Sequence, residues 1–181
     1  MKTFSFENSK VKMKILAFFL DNPSKEFYES EVRKRIGVSS GSANRYLKEL
    51  AREGILVMSK KGAMNFFMLD AGSTLAKKLK VARSFSMPVT QEIKKLGKDL
   101  GVKIYLYGSA ARGEDTEKSD WDLLVIGKAK MDALKRGIRP LEQKFRREIK
   151  ALLLTKRDWA RMKAKDPAFY ERVEKDRIEI A

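Results

Sequence analysis

The sequence predicts an α+β protein in two parts, and three observations carry that expectation. Residues up to about 54 place apolar side chains at helical spacing, punctuated by Asn22-Pro23, Gly37 and Gly54. Residues 55–69, ILVMSKKGAMNFFML, then switch to β-branched and aromatic residues around a basic turn containing glycine. From residue 103 onward, strand-like runs alternate with helical ones.

Taken in order, SKVKMKILAFFL (9–20) puts Val11, Ile15, Leu16, Phe18 and Phe19 at near-helical spacing behind a Ser9 cap. A second short helix is expected over 28–36, YESEVRKRI, with Gly37 as its C-cap. A third starts at the Ser39-Ser40 cap and turns Ala43, Tyr46, Leu47 and Leu50 inward until Gly54. Three helices and a hairpin describe a winged helix, whose second and third helices form a helix-turn-helix. The third helix then exposes Ser42, Asn44, Arg45, Lys48 and Arg52 to a groove, and the wing tip offers Lys60 and Lys61 to backbone phosphate. The same polar face also suits a module that binds a protein partner or forms a homodimer.

Residues 70–100 read as mostly helical, with Leu75, Leu79 and Ala82 on one stripe and Ile93, Leu96 and Leu100 on another, broken near Ser86-Met87-Pro88. The expected division is a winged helix-turn-helix over 1–70, a helical linker over 71–94 and a small mixed-sheet domain over 95–181. In the last of these, KIYLYG is a strand, SAARG a helical turn, EDTEKS a polar loop and DWDLLVIG a second strand. A long helix over about 130–147, the strand EIKALLL, a helix from a Thr155 cap and a further helix near 167–175 follow.

Composition narrows the chemistry. The 181 residues contain no cysteine and no histidine, which excludes disulfides, thiolate metal sites, imidazole bases and histidine-bound zinc. Carboxylates, lysine, tyrosine and oxygen-liganded metals are left. Lys plus Arg number 40 against 24 Asp plus Glu, a formal +16, and such an excess suits either a polyanionic partner or a solvated lysine-rich surface. The excess is +5 over residues 1–70 (13 basic, 8 acidic) and +11 over 71–181 (27 basic, 16 acidic), so no basic tail accounts for it. Apolar runs such as ILAFF are too short to span a bilayer, and MKTFSFENSK lacks an apolar signal region, so no membrane association and a cytoplasmic location are expected.

The chemistry concentrates in YGSAARGEDTEKSDWDLLVI, residues 107–126. Gly108-Ser109 stands where a strand ends and a helix begins, a place where backbone N–H groups can grip a phosphate oxygen, though such a pair also makes an ordinary turn. Beyond ten intervening residues Asp120 and Asp122 alternate with Trp121 and Leu123, so both carboxylates emerge on one face of a strand. Two acids so placed either raise each other's pKa or share a cation. Oxygen ligation favours Mg2+ or Mn2+.

Tyr107-Gly108-Ser109, a ten-residue spacer and Asp120-Trp121-Asp122-Leu123 resemble the DNA polymerase beta-like nucleotidyltransferase superfamily, in particular its minimal nucleotidyltransferases, over about residues 95–181. The resemblance implies a polymerase beta palm-like domain that transfers a nucleoside monophosphate from a nucleoside triphosphate to a hydroxyl. It implies nucleotide binding by Gly108, Ser109, Arg112 and Ser119, with Asp120 and Asp122 as catalytic metal ligands. Members usually add a third carboxylate from a later strand. Here that strand is EIKALLL, whose only acid is Glu148 at its edge, with Lys150 where an aspartate is expected. The departure leaves open a DNA-binding transcriptional regulator whose nucleotidyltransferase domain senses nucleotide with weak catalysis. The family's toxin-antitoxin members imply another alternative, the antitoxin-type partner of a HEPN toxin. DNA or RNA is the partner expected of the winged helix.

Overall fold

A computed structural model describes residues 10–181 of the chain, so the expected Ser9 cap lies outside the described residues. The chain forms two compact units, divided between Lys80 and Val81.

In the first unit, α1 (Lys10–Asp21), α2 (Glu29–Ile36) and α3 (Ser40–Arg52) precede the antiparallel hairpin of β2 (Leu56–Lys61) and β3 (Met64–Leu69). Gly37 closes α2 in the left-handed conformation, and the Ser39 side chain caps α3 by accepting from the Ser42 N–H. Sequence pattern missed β1 (Phe27–Tyr28), which pairs antiparallel with β3 and completes a sheet of order β1-β3-β2. Tyr28 is therefore a strand residue rather than the first residue of α2. Two residues are too few to show a period-two alternation. Ile15, Phe19, Leu47, Leu50 and Phe67 are all fully buried in one core, and each contributes about 2 kcal/mol by leaving water. Within that core Lys12 is 1% exposed and ion-paired to Glu49 and Glu53 at 2.5 and 2.8 Å, tying α1 to α3.

The helix α4 (Thr74–Phe85) places Leu75, Ala76 and Leu79 in the first core. Ala82, expected on the same stripe, is exposed. The helix α5 (Pro88–Leu100) buries Val89 and Ile93 in the core of the second unit, and Pro88 suits its first turn, where the lost N–H has no helical partner.

A four-stranded mixed sheet of order β6-β5-β4-β7 organises the second unit. Its members are β4 (Lys103–Tyr107), β5 (Trp121–Ile126), β6 (Ile149–Leu154) and the short β7 (Ile178–Glu179), the last again too brief to be read from sequence. β5 runs antiparallel to β4 and parallel to β6. Alternation along β5 divides its side chains. Trp121, Leu123 and Val125 enter the core shared with α5 and with α7 (Met131–Phe145), where Gly137 admits Leu96 so closely that a Cβ would stand 2.3 Å from it. Leu124 and Ile126 enter a second cluster with Trp159 of α8 (Lys156–Lys165) and Val173 of α9 (Pro167–Asp176). Asp122 belongs to the Leu124 face.

Candidate active site

The first carboxylate pair is held by backbone geometry. Register sets Asp122 opposite Tyr107 on β4 and opposite Lys150 on β6. The chain leaves β4 at Gly108, φ +73°, and enters the short helix α6 (Gly108–Arg112). A Cβ at Gly108 would stand 2.6 Å from Asp122 Oδ2. Glycine is thus required twice there, for the left-handed backbone and for the approach of the carboxylate. Sequence reasoning assigned Gly108 to phosphate contact; the structure adds that it makes room for Asp122.

Charge around the pair is uneven. Burial, and then the negative charge of Asp120, push the Asp122 carboxyl above the usual carboxylate range. A hydrogen bond from Lys150 holds the Asp120 carboxyl below it. Lys150 thus fills with an ammonium the place beside the two acids where sequence reasoning looked for a third. Glu148 is exposed, lies one residue ahead of β6, and contributes its carbonyl, which accepts from the Trp121 N–H at 2.9 Å. Among the described residues no three acidic side chains are arranged to hold a metal ion. A cation at Asp120 and Asp122 therefore needs further oxygens from water or from a substrate.

The remaining expected residues are positioned as follows. Ser109 accepts through its carbonyl from the Glu114 N–H at 2.8 Å and is half-buried. The Arg112 guanidinium is occupied by Glu114 and by Asp176 of α9, both at 2.8 Å, while its charge still lowers the Asp122 carboxyl. Ser119 Oγ accepts from the Thr116 N–H at 2.8 Å, closing the loop before Asp120 on itself. Trp121 and Trp159 are buried packing residues, not exposed stacking surfaces.

Arg147 was missed. Two residues past α7, it donates to the Ser119 carbonyl at 2.9 Å, and to Asp115 Oδ2 and the Thr116 carbonyl at 2.8 Å each, with its guanidinium over the Trp121 ring. One side chain thereby ties residues 115–119 to the end of α7 and to the root of β5. Arg172 was missed too, and its positive charge reaches Asp122; the ring of Tyr107, read from sequence as the first residue of the motif, meets Phe169 edge-on.

On α3, Arg45 and Lys48 are exposed, as are Lys60 and Lys61 at the hairpin tip. Asn44 is drawn away, donating to Glu29 of α2 at 2.6 Å, and Ser42 is held by Ser39. Lys61 is ion-paired with Glu26.

The family model for the nucleotidyltransferase domain matches residues 88–180, more than half of the chain and the whole of the sheet just described. The chain belongs to the nucleotidyltransferase domain family. The nucleotidyltransferase domain so defined begins at α5, which agrees with the burial of Val89 and Ile93 in its core. No curated protein matches the chain. Among the described residues no helix is long and apolar enough to cross a membrane.

Proposed function

We propose that the nucleotidyltransferase domain transfers a nucleoside monophosphate from a nucleoside triphosphate to a hydroxyl acceptor, releasing pyrophosphate, and depends on Mg2+ or Mn2+. The observation that carries this reading is the Asp122 carboxylate seated against Gly108 beside the like-charged Asp120. One acid held at a cost beside a second suits a divalent cation that completes its shell with substrate phosphates rather than with a protein cage. Asp120 and Asp122 would hold such a cation, which would supply Lewis acidity for the transfer and offset charge on the departing pyrophosphate.

The chain's own residues do the rest. The backbone of Gly108 and Ser109 approaches the β- and γ-phosphates, with no side chain at Gly108 to keep them off. The positive charges of Arg112 and Arg172 partly offset the negative charge of Asp120 at Asp122, which favours a polyanionic substrate. Arg147 fixes the loop and so the direction of Asp120. The first unit, read as a winged helix, brings DNA or RNA through Arg45, Lys48 and Lys60.

The ion pair between Lys150 and Asp120 favours a second reading, a nucleotide-sensing DNA-binding regulator with weak catalysis. With Mg2+ or Mn2+ and labelled triphosphates, the first reading expects transfer to an acceptor, abolished in Asp120→Ala with Asp122→Ala. Undiminished transfer by the double variant overturns it. Nucleotide binding without turnover, together with turnover gained in Lys150→Asp, supports the second reading.

A further inference from the structure

At the opposite end of β5 from Asp120, the second unit holds a cavity of about 920 Å³. It opens where the parallel strands β5 and β6 both end, at Gly127-Lys128 and at Thr155-Lys156-Arg157. Val102 and Ile126, 7% exposed each, form an apolar floor, and no acidic side chain lines the hollow; Ala181, the last residue of the sequence, also borders it, with its main-chain oxygen accepting from the Ile104 N–H at 2.8 Å. Lys98, Lys128, Lys156 and Arg157 stand exposed on its rim, and none has a side-chain partner among the described residues. A fifth cation, Lys103, is neutralised by Glu179 at 2.8 Å.

Those four cations come from three places in the chain: α5, the turn after β5 and the first turn of α8. A single solvated helix face therefore does not account for them. Like charges gathered at one mouth repel, and an anion in the mouth relieves that repulsion. The volume lies within the range of organic-ligand pockets, and the carboxyl ends of parallel strands are where open α/β sheets commonly bind ligands. No aromatic side chain lines the hollow, so it lacks the stacking platforms that hold nucleobases or single-stranded nucleic acid.

We infer that this hollow is a second binding site, for a small organic anion with an aliphatic body, the body lying on Val102 and Ile126 and the anionic head among Lys128, Lys156 and Arg157. It stands apart from the carboxylate pair and does not depend on nucleotidyl transfer.

Calorimetric titration of the full chain with decanoate tests it. Saturable one-to-one binding is expected, weakened at least tenfold in Lys128→Glu with Arg157→Glu and unchanged in Asp120→Asn with Asp122→Asn. If the charge-reversed protein gives a far-UV spectrum unlike the parent's, Arg157→Ala alone must still weaken binding at least threefold. Equal decanoate affinity in the charge variants overturns the inference. So does inorganic phosphate binding as tightly as decanoate, which marks a charge patch only. Displacement of decanoate by a short oligothymidylate through the same residues overturns it in favour of a nucleic-acid track.

Discussion

Burial and the neighbouring Asp120 charge raise the Asp122 carboxyl above its ordinary range, so the folded state disfavours the ionised form. Because the folded pKa exceeds the unfolded one, this group's share of stability is greatest below the unfolded value, about 3.9, and is lost as pH rises through the folded value. Asp120 has the opposite sign: Lys150 lowers its carboxyl, so its stabilisation is present above the unfolded value and is lost as pH falls through the folded one. At neutral pH the pair therefore combines one relieved and one strained carboxylate, a pattern that fits a site shaped for function rather than for stability. Asp122→Asn is expected to melt about 2–4 °C higher than the parent at pH 7, with the gain vanishing near pH 3, while nucleotidyl transfer falls at least a hundredfold. Asp120→Asn, which leaves Lys150 without its partner, is expected to melt no higher than the parent. Millimolar Mg2+ or Mn2+ should raise the parent's melting temperature and leave Asp122→Asn unmoved. Thermal melts across pH, with and without metal, check all three expectations, and an unstabilised Asp122→Asn removes the account of strain.

The loop before β5 depends on an element far from it in sequence. Arg147 reaches Ser119 and Asp115 across 28 and 32 residues, with Asp115 buried to 4% exposure. Removing one partner of a buried, hydrogen-bonded pair is costly, so Arg147→Met is expected to lose about 3 kcal/mol. Arg147→Lys should recover only part of that loss, since an ammonium cannot reproduce the guanidinium fork over three oxygens. Amide exchange over residues 115–119 should quicken in both variants, and chemical denaturation measures the loss. Unchanged exchange in that loop removes Arg147 from its positioning role. Such a tie is illegible in sequence, because nothing local marks an arginine whose partners are all distant. β5 is legible for the opposite reason: Asp120, Trp121, Asp122 and Leu123 alternate with period two, and the following apolar run marks burial on both faces. Gly37 and Ser39 likewise act through immediate neighbours and were read as caps. The strands β1 and β7 have two residues each, and pairing rather than pattern makes them. Lys150 falls between these cases, visible as a departure from the family's acid, with its ion pair to Asp120 set only by the β5–β6 register.

Across the whole molecule, a formal +16 requires a reading that separates specific contacts from general attraction. Many of these cations are internally neutralised: Lys12 by Glu49 and Glu53, Lys61 by Glu26, Arg112 by Glu114 and Asp176, Arg147 by Asp115. In the first unit Arg45, Lys48 and Lys60 are exposed with no carboxylate partner among the described residues. If they meet duplex phosphate as proposed, each contact releases condensed counterions, and the logarithm of the affinity falls with the logarithm of salt concentration by about 0.9 per contact. Arg45→Ala with Lys48→Ala should therefore weaken duplex binding and reduce the magnitude of that slope by about 1.8. Lys61→Ala should change the slope less, because Glu26 already holds Lys61. Lys128→Glu with Arg157→Glu serves as the control for net charge: it removes four units of positive charge from the second unit while leaving the α3 surface intact. Fluorescence titrations of a labelled duplex between about 50 and 200 mM salt, the span over which such contacts separate, distinguish the cases. A slope that drops equally for both double variants means that total charge, not the α3 face, carries the attraction, and the first unit then serves a protein partner instead.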